Sequence, residues 1–156
     1  MAEVRTDKLG LVKSSDNAQV GSFAQDFADN MQKIDDAFGT TIGKFVAGTG
    51  GVPAFHIVYV NTEGKIQSAS CYNLSHMNRI VGMTVEDIAE GQSGLVYRIG
   101  AIENPNWNLS PGSVYFLGDG GEIIDTKPDT GFVLVVGVAE SATRLALSIG
   151  IPVKLA

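Results

Sequence analysis

The stretches "VYVNTEGKI" (residues 58–66) and "VYFLGDGGEI" (residues 114–123) say nearly the same thing twice. Each opens on Val-Tyr, passes through a polar turn that carries glycine, and closes on a charged residue followed by Ile. A β-branched and aromatic run, a turn with glycine available for positive φ, and a short return is the pattern of a β-hairpin. Two further matches follow in the same order. "IVGMT" (80–84) is answered by "VVGVA" (135–139), and "YRIGAI" (97–102) by "LSIGIP" (147–152). Three ordered matches with a period of about 55 residues predict tandem β units. The expected units are 52–104 and 107–156, with Gly82 falling on Gly137 and Gly100 on Gly150. The second is shorter by a loop around "EDIAEGQSG".

Other segments from Val52 onward extend the β reading. "FHIVYV", "SVYFL", "EIID", "FVLVVGVA" and "RLALSIGIPVKL" are short apolar runs broken by "GDGG" and "KPDTG". Short strands joined by tight turns imply a sandwich or barrel rather than an α/β sheet. The one segment here with room for a short helix is "GMTVEDIAEGQ" (82–92).

Composition agrees. The chain has 156 residues, enough for one domain or one domain with an arm, and its 44% hydrophobic content supports a packed core. Charged residues are only 18% while glycines number 19, which suits a turn-rich β protein with a weakly charged surface. The net charge is −6, and the eleven Lys and Arg are scattered singly. Phosphate binding needs clustered cations, so a nucleic-acid role is disfavoured. No signal peptide is expected from the polar opening residues, and no apolar run reaches the roughly 18–20 residues that span a bilayer.

The first third differs. Residues 1–17 are polar with a small apolar patch at Leu9, Leu11 and Val12, expected as an extended arm. A helix is expected over 18–39, with Asp16 as N-cap, Gln19 in a capping-box position and Gly39 as its stop. Val20, Phe23, Phe27, Met31, Ile34 and Phe38 recur at spacings that average 3.6 and form one straight stripe. Such a stripe packs on its own β region or on copies of itself around an axis. A glycine-rich link over 40–51 separates it from the repeats, which favours self-association.

Candidate chemistry is sparse. His56 sits in an apolar run, where a hydrogen-bonded structural histidine is expected. His76 with Cys71 makes only half a metal site, and a lone cysteine forms no disulfide within the chain. Asp119, Glu122, Asp125 and Asp129 on a glycine-rich hairpin form a weak candidate for calcium. Glu86, Asp87, Glu103 and Glu122 are the acids a glycan hydrolase would have to bring together. No nucleophile–base pair emerges, and neither catalysis nor a cofactor is expected. Trp107, in "NPNWNLSPG", either contacts a surface ligand or plugs the end of the β structure.

The segment "KLGLVKSSDNAQVGSFAQDFADNMQKIDDAFG" (8–39) resembles the virion-proximal N-termini of bacteriophage tail fibres. The stretches "RIVGMTVEDIAEGQSGLVYRIGAI" and "WNLSPGSVYFLGDGGEIIDTKPDTGFVLVVGVAESATRLALSIGIPVKL" are similar to a β module of phage head-fibre and tail-fibre proteins. The resemblance implies a non-enzymatic, trimeric virion component made in the host bacterial cytoplasm. Its anchor would include Leu9, Leu11 and Val12 and would meet other capsid or tail proteins. The helix would gather the copies, and the β head would face outward for host attachment, with a surface glycan as its candidate partner. Typical receptor-binding fibres carry shaft repeats, and this chain has none. A short fibre, a capsid decoration or an adaptor of a tail-fibre or baseplate assembly fits its size better. The competing expectation is a monomeric carbohydrate-binding β module with the helix packed on its head.

Overall fold

The computed structural model describes residues 4–5, 12–13, 27–31, 33–34 and 42–156. It is mainly β. The chain divides into two compact units, Met1–Thr40 and Thr41–Ala156.

In the first unit, β1 (Val4–Arg5) pairs antiparallel with β2 (Val12–Lys13), so Val12 lies in a strand pair rather than in a plain extended arm. Residues 27–31 and 33–34 are helical. Phe27 and Met31 of the expected stripe are exposed, at 59% and 43%, while Ile34 is half-buried. Leu9, Leu11, Val20, Phe23 and Phe38 lie outside the described residues.

The second unit begins with β3 (Ile42–Val46), inside the stretch expected to be a linker. Then come β4 (Ile57–Val60), β5 (Ile66–Ser68), a 3-10 turn at Leu74–Arg79, β6 (Ile80–Thr84) and β7 (Ser93–Tyr97). These five strands form one sheet in the order β3-β7-β6-β4-β5. The expected short helix over 82–92 is absent. Its first residues complete β6, and Ile88 instead forms an antiparallel bridge to Val52. Asn73 starts the 3-10 turn in its place, its side chain accepting from the Ser75 N–H.

The remaining strands are β8 (Ile99–Glu103), β9 (Val114–Leu117), β10 (Ile123–Ile124), β11 (Phe132–Val133), β12 (Val135–Ala139), β13 (Arg144–Ser148) and β14 (Val153–Lys154). Their five-stranded sheet has the order β10-β9-β12-β13-β8, with β11 and β14 pairing separately. Leaving out the two-residue β11, each sheet reads first, fifth, fourth, second, third strand along the chain.

The ladders also match in detail. In the first sheet Ile57 lies opposite Met83, Val58 opposite Gly82 and Tyr59 opposite Ile80, with a register shift between Val58 and Tyr59. In the second, Val114 lies opposite Val138, Tyr115 opposite Gly137 and Phe116 opposite Val135, with a shift at the same step. Gly82 and Gly137 therefore hold corresponding places in the two ladders. Val58 corresponds to Tyr115, however, one residue beyond the Val-Tyr match. Gly100 and Gly150 do not correspond. Gly100 lies in β8 opposite Leu147, whereas Gly150 follows β13. The step between the sheets falls between β7 and β8, not near residue 105, because "YRIGAI" contains the end of one sheet and the start of the next.

The main core joins both sheets: Ile57, Met83 and Cys71 cluster with Tyr115, Leu117, Phe132, Leu134, Val136, Leu145 and Leu147. A smaller cluster on the first sheet gathers Val58, Ile66 and Val96 beneath Ala47, Val52 and Ile88. Val58 and Ile57 serve different clusters because neighbouring strand residues point to opposite faces.

Candidate functional site

Between the loop before β4 and the loops around β9 and β10 lies a cleft of about 530 Å³. That volume falls within the range of small-ligand sites. Phe55 and His56 supply one wall. Asn104, Trp107, Asn108 and Leu109 supply another, and Tyr115, Glu122, Ile123, Ile124 and Asp125 complete it.

The loop over residues 52–56 is held rigidly. The buried Thr84 hydroxyl donates to the Pro53 carbonyl at 2.7 Å and accepts from the His56 N–H at 3.2 Å. Asp87 accepts from the Ala54 N–H at 2.8 Å, and the Phe55 N–H donates to the Thr84 carbonyl at 2.8 Å. These bonds hold Phe55 at φ 60°, in the left-handed region that L-residues avoid. A non-glycine residue there costs on the order of 1–3 kcal/mol and persists only where its surroundings fix it. The result is that the Phe55 ring meets Trp107 edge-on, with centroids 5.3 Å apart and planes at 64°. That geometry is one of the favoured aromatic arrangements.

On the other wall, Asn104 opens a turn by accepting from the Asn106 N–H at 3.0 Å, and the Trp107 N–H donates to the Asn104 carbonyl at 3.1 Å. The Tyr115 hydroxyl accepts from the Ser110 N–H at 2.9 Å. Trp107 is half-buried. It packs against the main core and also lines the cleft.

His56 Nδ1 lies 2.7 Å from the Ala54 carbonyl. An N–H donated there leaves Nε2 of the neutral ring as an acceptor. His56 is thus hydrogen-bonded as expected, but it also faces a cleft, which the sequence reading did not anticipate. Phe55, Asn104, Asn108 and Tyr115 were also missed. The turn-rich "NPNWNLSPG" was the only signal for this wall, and nothing in "VPAFH" announces a left-handed Phe.

The acidic candidates separate. Glu122 and Asp125 line the cleft; Asp119 and Asp129 do not. Among the described residues no three His, Cys, Asp or Glu side chains form a metal-binding group, so the four acids make no calcium site. Asp119 and Glu122 lie in the turn between β9 and β10, where Asp119 accepts from the Gly120 N–H, whereas Asp125 and Asp129 follow β10. Nor do Glu86, Asp87 and Glu103 join Glu122 on the cleft. Asp87 is engaged with the Ala54 N–H.

His76 and Cys71 lie elsewhere. Tyr59 stacks on the His76 ring with centroids 3.7 Å apart, and the Ser70 N–H donates to His76 Nδ1 at 3.1 Å. Burial, helped by the nearby Arg79 charge, holds the His76 pKa below its ordinary value. Burial pushes the Cys71 thiol pKa up. Cys71 is therefore a small core side chain rather than a nucleophile.

The cleft offers an aromatic wall, two side-chain amides, an imidazole acceptor and two carboxylates, with no Lys or Arg among its described lining residues. It suits a ligand with apolar ring faces and many hydroxyls, and repels anions. No helix among the described residues is long and apolar enough to cross a membrane. No protein-family model matches the chain, and no curated protein matches it.

Proposed function

We propose that this chain is a non-enzymatic virion structural protein of a bacteriophage, a short fibre or capsid decoration whose β head binds a neutral or amino-bearing glycan on the host surface. The observation that carries the glycan part is the cleft where Phe55 and Trp107 meet edge-on beside Glu122 and Asp125. Aromatic faces cover the C–H side of a sugar ring, while carboxylates and amides take its hydroxyls. The virion part rests on the resemblance of residues 8–39 and of the two β stretches to phage fibre proteins. The matching strand orders and the shared register shift support reading the β head as a duplicated unit.

In this reading the N-terminal part anchors the chain to capsid or tail, and the helical stripe gathers copies, three by resemblance. The exposure of Phe27 and Met31 supports that second role. Trp107 is the only tryptophan, so its emission reports directly on the cleft. Titrating the full chain with neutral, amino and acidic oligosaccharides should change that emission saturably for the first two classes. Trp107→Ala should abolish binding as measured by calorimetry. Unchanged emission across all three classes, with no heat of binding, would refute the glycan reading.

A further inference from the structure

Two polar side chains that line the cleft are more than nine-tenths buried: Asn104 is 8% exposed and Tyr115 is 6% exposed. A backbone N–H already occupies an acceptor on each. The Asn106 N–H donates to Asn104 Oδ1 at 3.0 Å, which makes the other terminal atom of that amide the nitrogen. The Ser110 N–H donates to the Tyr115 hydroxyl at 2.9 Å. What each side chain still offers is a donor. Among the described residues nothing accepts from Asn104 Nδ2 or takes the Tyr115 hydroxyl proton. Yet no buried side-chain nitrogen or oxygen among them lacks a partner. Asn104 Nδ2 is therefore not sealed in the core and opens on the cleft that its residue lines.

The acceptors come from other parts of the lining. His56 Nδ1 donates to the Ala54 carbonyl at 2.7 Å, so Nε2 of the neutral ring is left to accept. Glu122 and Asp125 add carboxylates, both exposed to solvent. The Phe55 and Trp107 rings, with centroids 5.3 Å apart, form an apolar corner in the same cleft.

We propose that the cleft selects sugars bearing an acetamido group, in which –NH–CO–CH3 replaces a ring hydroxyl. This rests on the glycan reading above and narrows it. A carbonyl oxygen accepts two hydrogen bonds and brings no proton of its own, so it matches the donors left on Asn104 and Tyr115. The amide N–H has His56 Nε2 to accept it, and the methyl group has the aromatic corner. A hydroxyl places its proton and lone pairs on one atom and brings no methyl to that corner. An ammonium group brings only donors to a wall whose buried groups are donors. Its attraction to Glu122 and Asp125 is screened because both are exposed. A carboxylate would suit the donors, but it meets those two acids with no Lys or Arg among the described lining residues to offset them.

The test titrates the full chain with oligosaccharides that differ only in the ring substituent: acetamido, free amine or hydroxyl, in both gluco and galacto series. Trp107 emission and calorimetry read the binding. In at least one series the acetamido sugar should bind about tenfold or more tighter than its two counterparts, because these leave a buried donor unpaired. That ranking is read on the parent chain and needs no variant to fold. Asn104→Asp keeps an acceptor for the Asn106 N–H and exchanges the free donor for a carboxylate oxygen. It should weaken acetamido binding about tenfold or more and move the hydroxyl sugar far less. Tyr115→Phe removes the other donor without adding charge and should act in the same direction. Equal binding of acetamido and hydroxyl sugars, or tightest binding of the amine, overturns the acetamido assignment and leaves the glycan reading standing. An acetamido preference that survives both variants also overturns it, since the donors named here would not be its source. No binding of any sugar in either series refutes the glycan reading, and the assignment with it.

Discussion

Gly82 and Gly137 stand at corresponding points of the two sheets, and each faces the backbone carbonyl of the residue that corresponds in the next strand, Tyr97 or Ala146. A Cβ at either glycine would collide with that oxygen. Gly82 also has φ 150°, where side chains are strained. Each sits beside the register shift, where one strand carries an extra residue against its neighbour. Gly82→Ala and Gly137→Ala should each destabilise the fold by about 3 kcal/mol, in the range of severe backbone clashes. Urea unfolding checks this, and a loss below about 1 kcal/mol for either would show that the strands separate easily there.

His76 makes the fold sensitive to mild acid. Its folded pKa is lowered by burial and by Arg79, so between that value and the ordinary histidine value the unfolded chain binds more protons. Stability then rises with pH across this window and falls as pH drops below about 6.5. Protonation would also displace the Ser70 N–H, which donates to Nδ1. His76→Gln offers an acceptor without titrating, and should flatten the urea midpoint between about pH 6.5 and pH 5. A slope equal to that of the parent would assign the effect to other groups.

The β character, the hairpins and the correspondence of Gly82 with Gly137 were legible because strand period, turn glycines and a close approach leave direct marks in the residues. The exact register was not. "VY" at Val58 and "VY" at Val114 align by letter but differ by one place in the ladder, and one place moves a side chain to the other face. Val58 and Tyr115 thus serve as counterparts although they share no chemistry. The first strand of each sheet was also misread. Ile42–Val46 contains Gly43 and Lys44 and reads as linker, but its pairing with β7 makes it a strand. Long-range pairing of that kind leaves no local signal. The cleft was half legible: Trp107 announced itself, whereas Phe55 and His56 reach it only through bonds from Thr84 and Asp87, about 30 residues away in the chain.

Cys71 should behave as a core residue. It is fully buried, its pKa is raised by burial, and its carbonyl accepts from the Phe132 N–H at 2.9 Å. A thiol reagent reaches it only after local or global opening, so labelling of the native chain should be at least about a hundredfold slower than in denaturant. Labelling that is equally fast in both states would mean that the segment between β5 and the 3-10 turn opens freely.

The exposed side chains of Phe27 and Met31 can be tested by their own variant. Phe27→Ser with Met31→Ser removes two exposed apolar side chains from the first unit and leaves the β core untouched. Native mass should fall to that of the monomer, or the dissociation midpoint rise by tenfold or more. Far-ultraviolet circular dichroism should keep its β signature. If mass stays unchanged, this part of the stripe does not hold the copies together.

Phe55 gives the sharpest test of the cleft, because two effects oppose each other in its stability. Replacing it with Gly relieves a left-handed backbone at φ 60°, a gain of about 1 kcal/mol. It also removes a half-buried ring, a loss of about 1–2 kcal/mol from apolar area. The edge contact with Trp107 goes with it, for about another 0.5–1.5 kcal/mol. The sum is a modest loss of about 0.5–2.5 kcal/mol, so Phe55→Gly should fold. Its Trp107 emission should shift to the red as the indole gains water, and glycan affinity should fall tenfold or more for want of the second aromatic surface. Phe55→Ala keeps the strain and loses the ring, so it should be less stable than Phe55→Gly while binding equally poorly. A Gly variant that binds like the parent would show that Phe55 only props Trp107 and does not contribute to the binding surface.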